Sequence, residues 1–471
     1  MKLIKPFKRL SLIFYIVITP IACTVGPDYR KPEIVMPEKF TEPLLSEQQE
    51  SSTDLKHWWT HFNDPTLNQL VENTLQANHD VREAIARIRE ARAAAGMASS
   101  QQYPHLIQSA EAARYRASEN ARIPVFPGDP NPNSVKQIGF DANWEIDLFG
   151  AVRRGKEAAN ADVASSIEWT EATKVSIAAE AVRLYFDLLT WRERMENMQK
   201  HVAAIQDLSK LHQSLYKAGL TSQVNSLQLE EIQKTTQAEM TLIEAAIRTT
   251  LYRITVLQGQ LPGSLSEELL QNTLSYTELP ALPKLIPGEI PIRRPDLRAL
   301  EREVAAANAR VGIATADRYP RIALLGSFGW EATRGHSLFS GGNRFWGFGP
   351  SMRWPIFQGG KISAAIEVQN ARLEQVTIRY EKAILVALEE IESATARYSR
   401  EKQRYEEMLL AVRVAGQNVN IAIQRFNSGL GNYLNVLETQ RRFYQLKDQE
   451  ILSRHDSLQY LIALFKAIGS G

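Results

Sequence analysis

Few side chains in this sequence have the types and spacing that catalysis or metal binding requires. His57 and His61 stand four residues apart, a spacing that can bind zinc on a helix, but no third ligand is visible nearby. The pair Gly341-Gly342 lacks the Lys-Ser/Thr that a phosphate loop needs. The sequence contains no nucleophile elbow, HExxH motif or Walker loop, and no carboxylate pair stands out among the 53 acidic residues. We therefore predict a protein that is not an enzyme and holds no metal or cofactor.

Chemistry of another kind is indicated at Cys23, the only cysteine of the chain. Residues 1–22 are predicted to be a signal peptide, because basic residues precede an apolar run over residues 10–18 and small residues follow it. The run is shorter than the ~20 apolar residues of a transmembrane helix. The segment looks like a bacterial lipobox, in which Cys23 carries lipid after cleavage, although Pro20 stands where Leu is usual. Thr24, in place of Asp, resembles sorting to the outer membrane; a plain signal peptide is the alternative.

The charge balance of the chain is close to neutral. The formal net charge is +2, and 23% of the residues are charged. This balance lacks the basic footprint of nucleic-acid-binding proteins, so no nucleic-acid partner is predicted. Basic residues interspersed with acidic ones along helices are typical of solvated helix faces.

Two stretches without proline are predicted to form very long helices. No proline follows Pro355, and apolar residues recur at steps of three and four up to Phe426, as a packed helix requires. At about 1.5 Å per residue, the leg over residues 360–426 would be roughly 100 Å long, deeper than an ordinary globular core. The predicted long legs are residues 150–217, 222–259, 360–426 and 431–468.

The two pairs of long helices are copies of one unit. Gly219 and Gly429, which are expected to end the outward legs, lie 210 positions apart. The same offset relates Tyr216/Phe426, Leu220/Leu430, Trp144/Trp354, Ile146/Ile356 and Gly150/Gly360. The sequence is therefore predicted to be a tandem duplication, and each copy is read as helix, strand, strand, long helix, turn, long helix.

Between the helices the periodicity changes to two, which indicates β-strands. The predicted strands cover residues 105–116, 135–148, 320–333 and 344–357. In the clearest of them the even-numbered residues from Ile138 to Leu148 are apolar, whereas their odd-numbered neighbours are polar or glycine. Strands of about 10–14 residues can cross a membrane at a tilt, and tryptophans near strand ends suit an interfacial girdle. A strand of a soluble sandwich is the alternative.

Four strands cannot close a barrel, and open sheet edges do not survive in lipid. We therefore predict that several chains pool their strands, and three chains would supply twelve. The predicted fold is a mixed α and β membrane protein with an internal tandem duplication, in which a trimeric 12-stranded β-barrel with four strands per chain is continued by a long α-helical coiled-coil barrel. The predicted domains are a signal peptide (1–22), an N-terminal extended segment (23–64), a first repeat (65–261), a linker (262–295) and a second repeat (296–471).

Six motifs in chain order cover the mature sequence. They are CTVGPDY at 23–29, WEIDLFG at 144–150, RRPDL at 293–297, YPRI at 319–322, PIFQGG at 355–360 and NYLNVLETQR at 432–441. In these motifs the chain resembles the outer-membrane factors of tripartite efflux pumps, the TolC-like channels, in the lipoprotein branch that includes NodT-type proteins.

The resemblance implies a homotrimer that is lipid-anchored in the cell outer membrane and extends into the periplasm. It implies an exit duct for drugs or other small molecules, with a periplasmic adaptor (membrane fusion) protein and an inner-membrane transporter as partners. The alternatives are the outer-membrane exit channel of a protein secretion system and a coiled-coil envelope scaffold without a channel.

The two helical turns are predicted to form the periplasmic tip that docks on the adaptor, through Gly219, Leu220, Gly429 and Leu430. Glycine lets the chain reverse without strain. A leucine at the end of a coiled coil has no core left to bury it, so a partner surface is the preferred interpretation. Packing between neighbouring hairpins is the alternative.

The resemblance also indicates where a periplasmic gate would lie. Asn420 and Gln424 match the acidic rings of some family members loosely and are the candidate gate residues. Gly431, Asn225 and Glu438 stand where family members often have Asp. Cation selectivity is therefore not carried over to this chain.

Overall fold

The structure is a computed structural model that describes residues 24–42, 55–116, 118, 132–219, 222–264, 287–333 and 337–469. Cys23, Leu220, the predicted signal peptide and most of the predicted linker lie outside the described residues. The helices are α1 (Pro65–Ala77), α2 (His79–Ser100), α3 (Ala151–Lys217), α4 (Gln223–Leu257), α5 (Pro295–Ala316), α6 (Lys361–Asn427) and α7 (Tyr433–Ile468). The strands are β1 (His105–Tyr115), β2 (Asn133–Ile146), β3 (Arg321–Thr333) and β4 (Arg344–Arg353). The 3₁₀ segment Leu55–Phe62 and the one-turn helix Ile290–Arg293 are short additions.

By its internal contacts the chain divides into two compact units. The first consists of Met1–Glu33, Ile88–Ser166 and Leu300–Tyr380, and it contains the four described strands. The second consists of Ile34–Arg87, Ile167–Ala299 and Glu381–Gly471, and it contains the turns after α3 and α6. None of the helices in the described part of the chain is both long enough and apolar enough to cross a membrane.

The strands of the first unit form one antiparallel sheet in the order β1-β2-β3-β4. Phe140 of β2 stands opposite Phe328 of β3, which in turn stands opposite Trp346 of β4. Because side chains alternate along a strand, the even-numbered residues of all four strands share one face and the odd-numbered residues share the other. The predicted faces of β2, β3 and β4 are thereby confirmed, and β1 continues them.

Two strands end earlier than predicted, β2 at Ile146 instead of residue 148 and β4 at Arg353 instead of residue 357. The apolar alternation continues beyond β2, but Asp147 has a different role there. Its carboxylate accepts hydrogen bonds from the backbone amides of Val152 (3.1 Å) and Arg153 (2.8 Å). These amides belong to the first turn of α3, where backbone donors have no partner within the helix, so Asp147 caps α3 and ends the strand.

Two equivalent tryptophans join the strands to the helices that precede each hairpin. The indole of Trp144 donates to the backbone carbonyl of Gln102 at 3.0 Å, and that of Trp354 donates to the carbonyl of Arg318 at 3.1 Å. Both carbonyls lie just after a helix end, α2 in the first case and α5 in the second. The tryptophans that the sequence analysis assigned to an interfacial girdle therefore also fix the junction between helix and sheet.

The described N-terminal residues 24–29, here called the N-terminal strap, have no regular secondary structure and contact the start of α3. The backbone N–H of Val25 donates to the carbonyl of Phe149 at 3.1 Å. Arg154, whose side chain is 4% exposed, donates to the carbonyls of Val25 (3.3 Å) and Gly26 (3.4 Å) and to the carboxylate of Asp28 (2.6 Å). One buried guanidinium thus holds three residues of the strap against the start of α3.

The first helix predicted from the sequence is divided into two helices in the structure. The apolar pattern from residue 65 to about residue 101 predicts a single helix, but the chain breaks at Asn78 between α1 and α2. The Asn78 side chain accepts from the amides of Asp80 (2.9 Å) and Val81 (3.1 Å), which caps α2. Its amide group also donates to the carbonyl of Leu257 at 2.8 Å, in the last turn of α4.

The 3₁₀ segment Leu55–Phe62 lies within the segment that was predicted to be extended. Trp58 is fully buried and stacks on Phe465 of α7 at a centroid distance of 4.9 Å. The Phe62 ring lies 4.9 Å from that of Phe186 in α3. These aromatic residues fix the end of the N-terminal segment to the helical body.

Candidate functional site

The even-numbered face of the sheet, here called the lipid-facing surface, is apolar along most of its length. Its members are Leu106, Gln108, Ala110, Ala112 and Arg114 of β1; Ser134, Lys136, Ile138, Phe140, Ala142, Trp144 and Ile146 of β2; Ile322, Leu324, Gly326, Phe328, Trp330 and Ala332 of β3; and Arg344, Trp346, Phe348, Pro350 and Met352 of β4. Trp346 and Phe348 are 79% and 78% exposed. A contiguous exposed apolar surface of this kind is a liability in water but is expected where strands meet hydrocarbon.

The odd-numbered face is mostly polar or small, as the interior of a membrane barrel requires, and its large apolar or aromatic exceptions are Ile107, Tyr115, Val135, Leu325 and Phe345. It carries Ser109, Glu111, Gln137, Gly139, Asp141, Asn143, Glu145, Ser327, Gly329, Glu331, Gly347, Gly349 and Ser351. Gly329 is needed for packing, because a β-carbon there would lie 2.5 Å from the Ile138 carbonyl oxygen and 2.8 Å from the ring of Phe345. The Phe345 ring thus covers the space that two facing glycines, Gly139 and Gly329, leave open.

The sheet cannot be complete in a single chain. Strands β1 and β4 are its two edges, and each has one strand neighbour in the described part of the chain. An open edge exposes backbone N–H and C=O groups that hydrocarbon cannot satisfy. The lipid-facing surface therefore requires that further chains pair with both edges.

The turns that end α3 and α6 have the same backbone geometry. Gly219 and Gly429 have φ values of +73° and +72°, the left-handed conformation that glycine adopts readily. The Gly429 amide donates to the Phe426 carbonyl at 3.0 Å, and the Leu430 amide donates to the Arg425 carbonyl at 2.9 Å. Together these bonds form a Schellman cap. The amide of Gly219 makes the equivalent bond three residues back, also at 3.0 Å.

The sequence analysis did not predict the hydrophobic core that lies beside these turns. It contains residues from all four long helices, namely Ile205, Leu208, Leu229, Ala422, Tyr433, Val436 and Leu437, with Ile232, Ile423 and Phe426 packed against it. The Tyr433 hydroxyl donates to the Leu208 carbonyl at 3.2 Å and so links the two repeats. Leu430 is 73% exposed in one chain in spite of this nearby core.

The candidate gate residues lie on one exposed helix face. Asn420 and Gln424 are four residues apart in α6 and both are exposed, whereas Ala422 between them is buried. The glycine at position 431 is explained by steric crowding, because a β-carbon there would lie 2.8 Å from the backbone nitrogen of Phe426. An Asp side chain at this position would not fit this turn.

Sequence reasoning missed the residues that position the turns. His212 is 1% exposed, its ring lies 5.6 Å from that of Tyr433, and its Nδ1 is 3.0 Å from the Ser226 hydroxyl. The apolar spacing of α7 places Tyr433 on the buried side, but the carbonyl it binds belongs to the other repeat and has no sequence signature. Within the described residues no group of three or more His, Cys, Asp or Glu side chains could hold a metal ion.

The sheet and the turns together define a class of protein. An antiparallel sheet with one lipid-compatible face and two open edges, followed in each repeat by a helical hairpin whose first leg has 67 residues, is the plan of an outer-membrane channel assembled from several chains. The sequence profile described as "Outer membrane efflux protein" matches residues 70–260 and 286–470, once in each repeat. The chain belongs to this family of outer-membrane efflux proteins.

Relatives of known function agree with this placement. The chain is 26% identical over 449 residues to "Nodulation protein T" of Rhizobium leguminosarum bv. trifolii, covering 95% of this chain and 94% of the relative. It is 27% identical to "Pyoverdine export outer membrane protein OpmQ" of Pseudomonas putida, covering 98% and 96%. These matches confirm the NodT-type resemblance.

Solved structures confirm the predicted fold class. The outer-membrane channel OprN superposes with a TM-score of 0.86 at 31% identity, covering 95% of this chain and 99% of that one. The CmeC outer membrane channel of Campylobacter jejuni has the same fold, with a TM-score of 0.85 at 21% identity over 95% of each chain. The chain is accordingly one subunit of a trimeric outer-membrane channel with a helical barrel that extends into the periplasm.

Proposed function

We propose that the trimer is the exit duct for small molecules that an adaptor and an inner-membrane pump deliver, and that the adaptor docks on the turns around Gly219-Leu220 and Gly429-Leu430. The channel function and the use of an adaptor and a pump follow from the family. The assignment of the docking residues is our own. OpmQ is named for pyoverdine export, which supports a small-molecule cargo for its relatives.

One observation carries the docking proposal. Leu430 is 73% exposed although a core of apolar residues from four helices lies close to it. The Schellman cap fixes its backbone, so its side chain is presented by a rigid turn. Burial of this exposed apolar side chain against a partner would favour association, because removal of apolar surface from water drives most protein–protein binding.

The test is to measure export and assembly separately. Leu430→Asp and Leu220→Asp should abolish export of a fluorescent pump substrate, while the trimer, its sorting and its amount stay unchanged. Leu430→Met keeps an apolar anchor, and Ser428→Asp adds a charge in the same turn without removing the leucine, so both should retain export. Normal export by both Asp variants, or loss of the trimer itself, would refute the docking role.

The lipid anchor at Cys23 is part of the proposal. Support comes from the strap, since the Val25–Phe149 hydrogen bond ties the residues directly after Cys23 to the β2–α3 junction. Palmitate labelling in cells should mark the wild type and leave Cys23→Ser unlabelled. The barrel itself holds the protein in the membrane, so Cys23→Ser should impair sorting more than insertion. An unlabelled wild-type protein would rule the anchor out.

The gate proposal concerns the exposed amides Asn420 and Gln424. Three copies would present uncharged amides at positions that loosely match the acidic rings of some family members. Asn420→Asp should therefore increase cation preference in planar-bilayer recordings, because a ring of like carboxylates attracts cations. An unchanged reversal potential would place the gate elsewhere.

A further inference from the structure

The lipid-facing surface carries charge at one end. Among its residues on the four described strands, the charged ones are Arg114, Lys136 and Arg344, and all three are basic. The opposite face carries charges of both signs, for example Glu111 and Arg353. The charge of the lipid-facing surface is thus of one sign and lies at one end of the sheet.

All three basic residues lie next to the hairpin connections. Arg114 stands opposite Ser134 and Lys136 opposite Ala112, in the last rows of the β1–β2 pair. Arg344 is the first residue of β4. The helices adjoin the other ends of the strands, so this end of the sheet is the one that faces the exterior in a channel whose helices extend into the periplasm.

The spacing of the three cations suits a ligand with more than one anionic group. Arg114 and Lys136 are diagonal neighbours on adjacent strands, with side chains about 7–8 Å apart at their bases. Lys136 and Arg344 lie two strands apart, about 10 Å across the sheet. All three side chains are exposed, and none forms an ion pair within the described part of the chain.

We infer that Arg114, Lys136 and Arg344 form a binding site for the phosphate groups of phosphorylated glycolipids in the outer leaflet of the membrane. Long basic side chains at the end of a lipid-facing strand reach the polar interface, where anionic groups can pair with them, and arginine matches phosphate with paired hydrogen bonds. Trp330 stands opposite Arg344 and provides an aromatic surface of the kind found at membrane interfaces. The inference rests on the outer-membrane placement of the sheet and is independent of the docking turns.

The test uses the complete trimer, freed of lipid and placed in phosphatidylcholine nanodiscs with increasing amounts of bisphosphorylated lipid A. Bound lipid A per trimer is counted by native mass spectrometry. Each of Arg114→Gln, Lys136→Gln and Arg344→Gln should weaken binding about fivefold, and the triple variant on the order of 100-fold, because each cation near an anionic surface contributes a comparable attraction. Binding by the wild type should also weaken as salt is raised.

Two variants control for the site and for charge. Lys136→Arg keeps the cation and should bind like the wild type. Arg353→Gln removes a cation from the opposite face and should also bind like the wild type. Equal binding by the triple variant and the wild type would overturn the inference, as would equal affinity for phosphatidylglycerol, which has one phosphate. If the triple variant does not assemble, the three single variants decide the question. Export by correctly assembled variants is expected to continue, so a failure here is distinct from a failure of the docking proposal.

Discussion

The guanidinium of Arg294 donates a hydrogen bond of 3.0 Å to the backbone carbonyl of Ala467, in the last turn of α7. In the first repeat, Asn78 donates in the same way to the carbonyl of Leu257 in the last turn of α4. In each repeat, the residue that precedes a 22-residue helix therefore satisfies the end of the long returning helix. Asn and Arg make the equivalent hydrogen bond, so the two repeats share this helix junction although the residue at the position differs.

Arg294 should be important for stability, whereas its neighbour Arg293 should not. Arg294 is largely buried and also pairs with Asp296 (2.8 Å) and Glu390 (2.6 Å). Arg294→Met leaves these carboxylates without their cation and should lower the free energy of unfolding by about 2–3 kcal/mol. Arg293 makes a surface pair with Glu289, so Arg293→Met should change it by no more than about 0.5 kcal/mol. Urea denaturation followed by circular dichroism compares the two, and equal midpoints would contradict the assignment.

The N-terminal strap passes so close to α5 that two glycines are required. A β-carbon on Gly26 would lie 2.4 Å from the backbone Cα of Gly312, and Gly26 also has a φ of +89°. A β-carbon on Gly312 would meet the side chain of Arg154 at 2.9 Å. A side chain can move aside, but the backbone cannot, so Gly26→Ala should release the strap more completely than Gly312→Ala, at a cost of about 1–3 kcal/mol.

Limited proteolysis of the folded trimer measures release of the strap. The expected order of cleavage rates before residue 30 is Gly26→Ala, then Gly312→Ala, then the wild type. Gly96→Ala is the matched control, because a β-carbon at Gly96 in α2 would meet no atom within 4 Å. It should leave the strap protected and stabilise the helix by up to about 1 kcal/mol. A different order would show that the strap is not held by these contacts.

The two glycines of the second turn should tolerate different substitutions. Gly429 needs a left-handed backbone but has open space around its Cα, so Gly429→Asn should be milder than Gly429→Ala, which costs about 1–2 kcal/mol. At Gly431 the obstacle is the backbone of Arg425 and Phe426, so Ala and Asn should both open the turn. Hydrogen exchange of the Leu430 amide reports this, because that amide is bonded within the cap. Faster exchange in Gly431→Ala but not in Gly429→Asn is the expected result.

Periodicity and duplication were sufficient to predict the architecture. Alternation with a period of two placed Phe140, Phe328 and Trp346 on one face, and the register puts them in one row. The long helices begin and end within two residues of their predicted bounds, because no proline interrupts their apolar stripes. These features are repeated over many residues, so each one is specified more than once.

Single polar residues caused the errors. Asn78 breaks an apolar stripe that continues on both sides of it, and Asp147 ends a strand whose alternation also continues. In both cases a side chain competes for backbone donors, which periodicity does not detect. The partners of Arg154 and Tyr433 lie far away in the sequence, so the strap contacts and the core beside the turns become visible only in the structure.

Tyr433 should make the stability of the second unit depend on pH in the alkaline range. Burial raises the pKa of its phenol above the ordinary value of about 10. The unfolded chain then releases this proton at a lower pH than the folded chain does. The stabilisation that the Tyr433 phenol contributes is therefore fully present below pH 10. The free energy of unfolding falls as the pH rises above 10, by up to about 1.4 kcal/mol per pH unit.

Tyr433→Phe removes this group and its hydrogen bond to the Leu208 carbonyl. At pH 7 the variant should be less stable by about 1 kcal/mol, while Tyr216→Phe, which changes an exposed ring, should differ from the wild type by less than about 0.5 kcal/mol. Between pH 10 and pH 11 the free energy of unfolding should fall less steeply in Tyr433→Phe than in the wild type, because the variant lacks the phenol whose pKa differs between the folded and unfolded states. Urea midpoints at pH 7, 9, 10 and 11 measure the difference between the two proteins, so the other tyrosines cancel. Parallel pH profiles would show that the phenol of Tyr433 is not buried in the folded trimer.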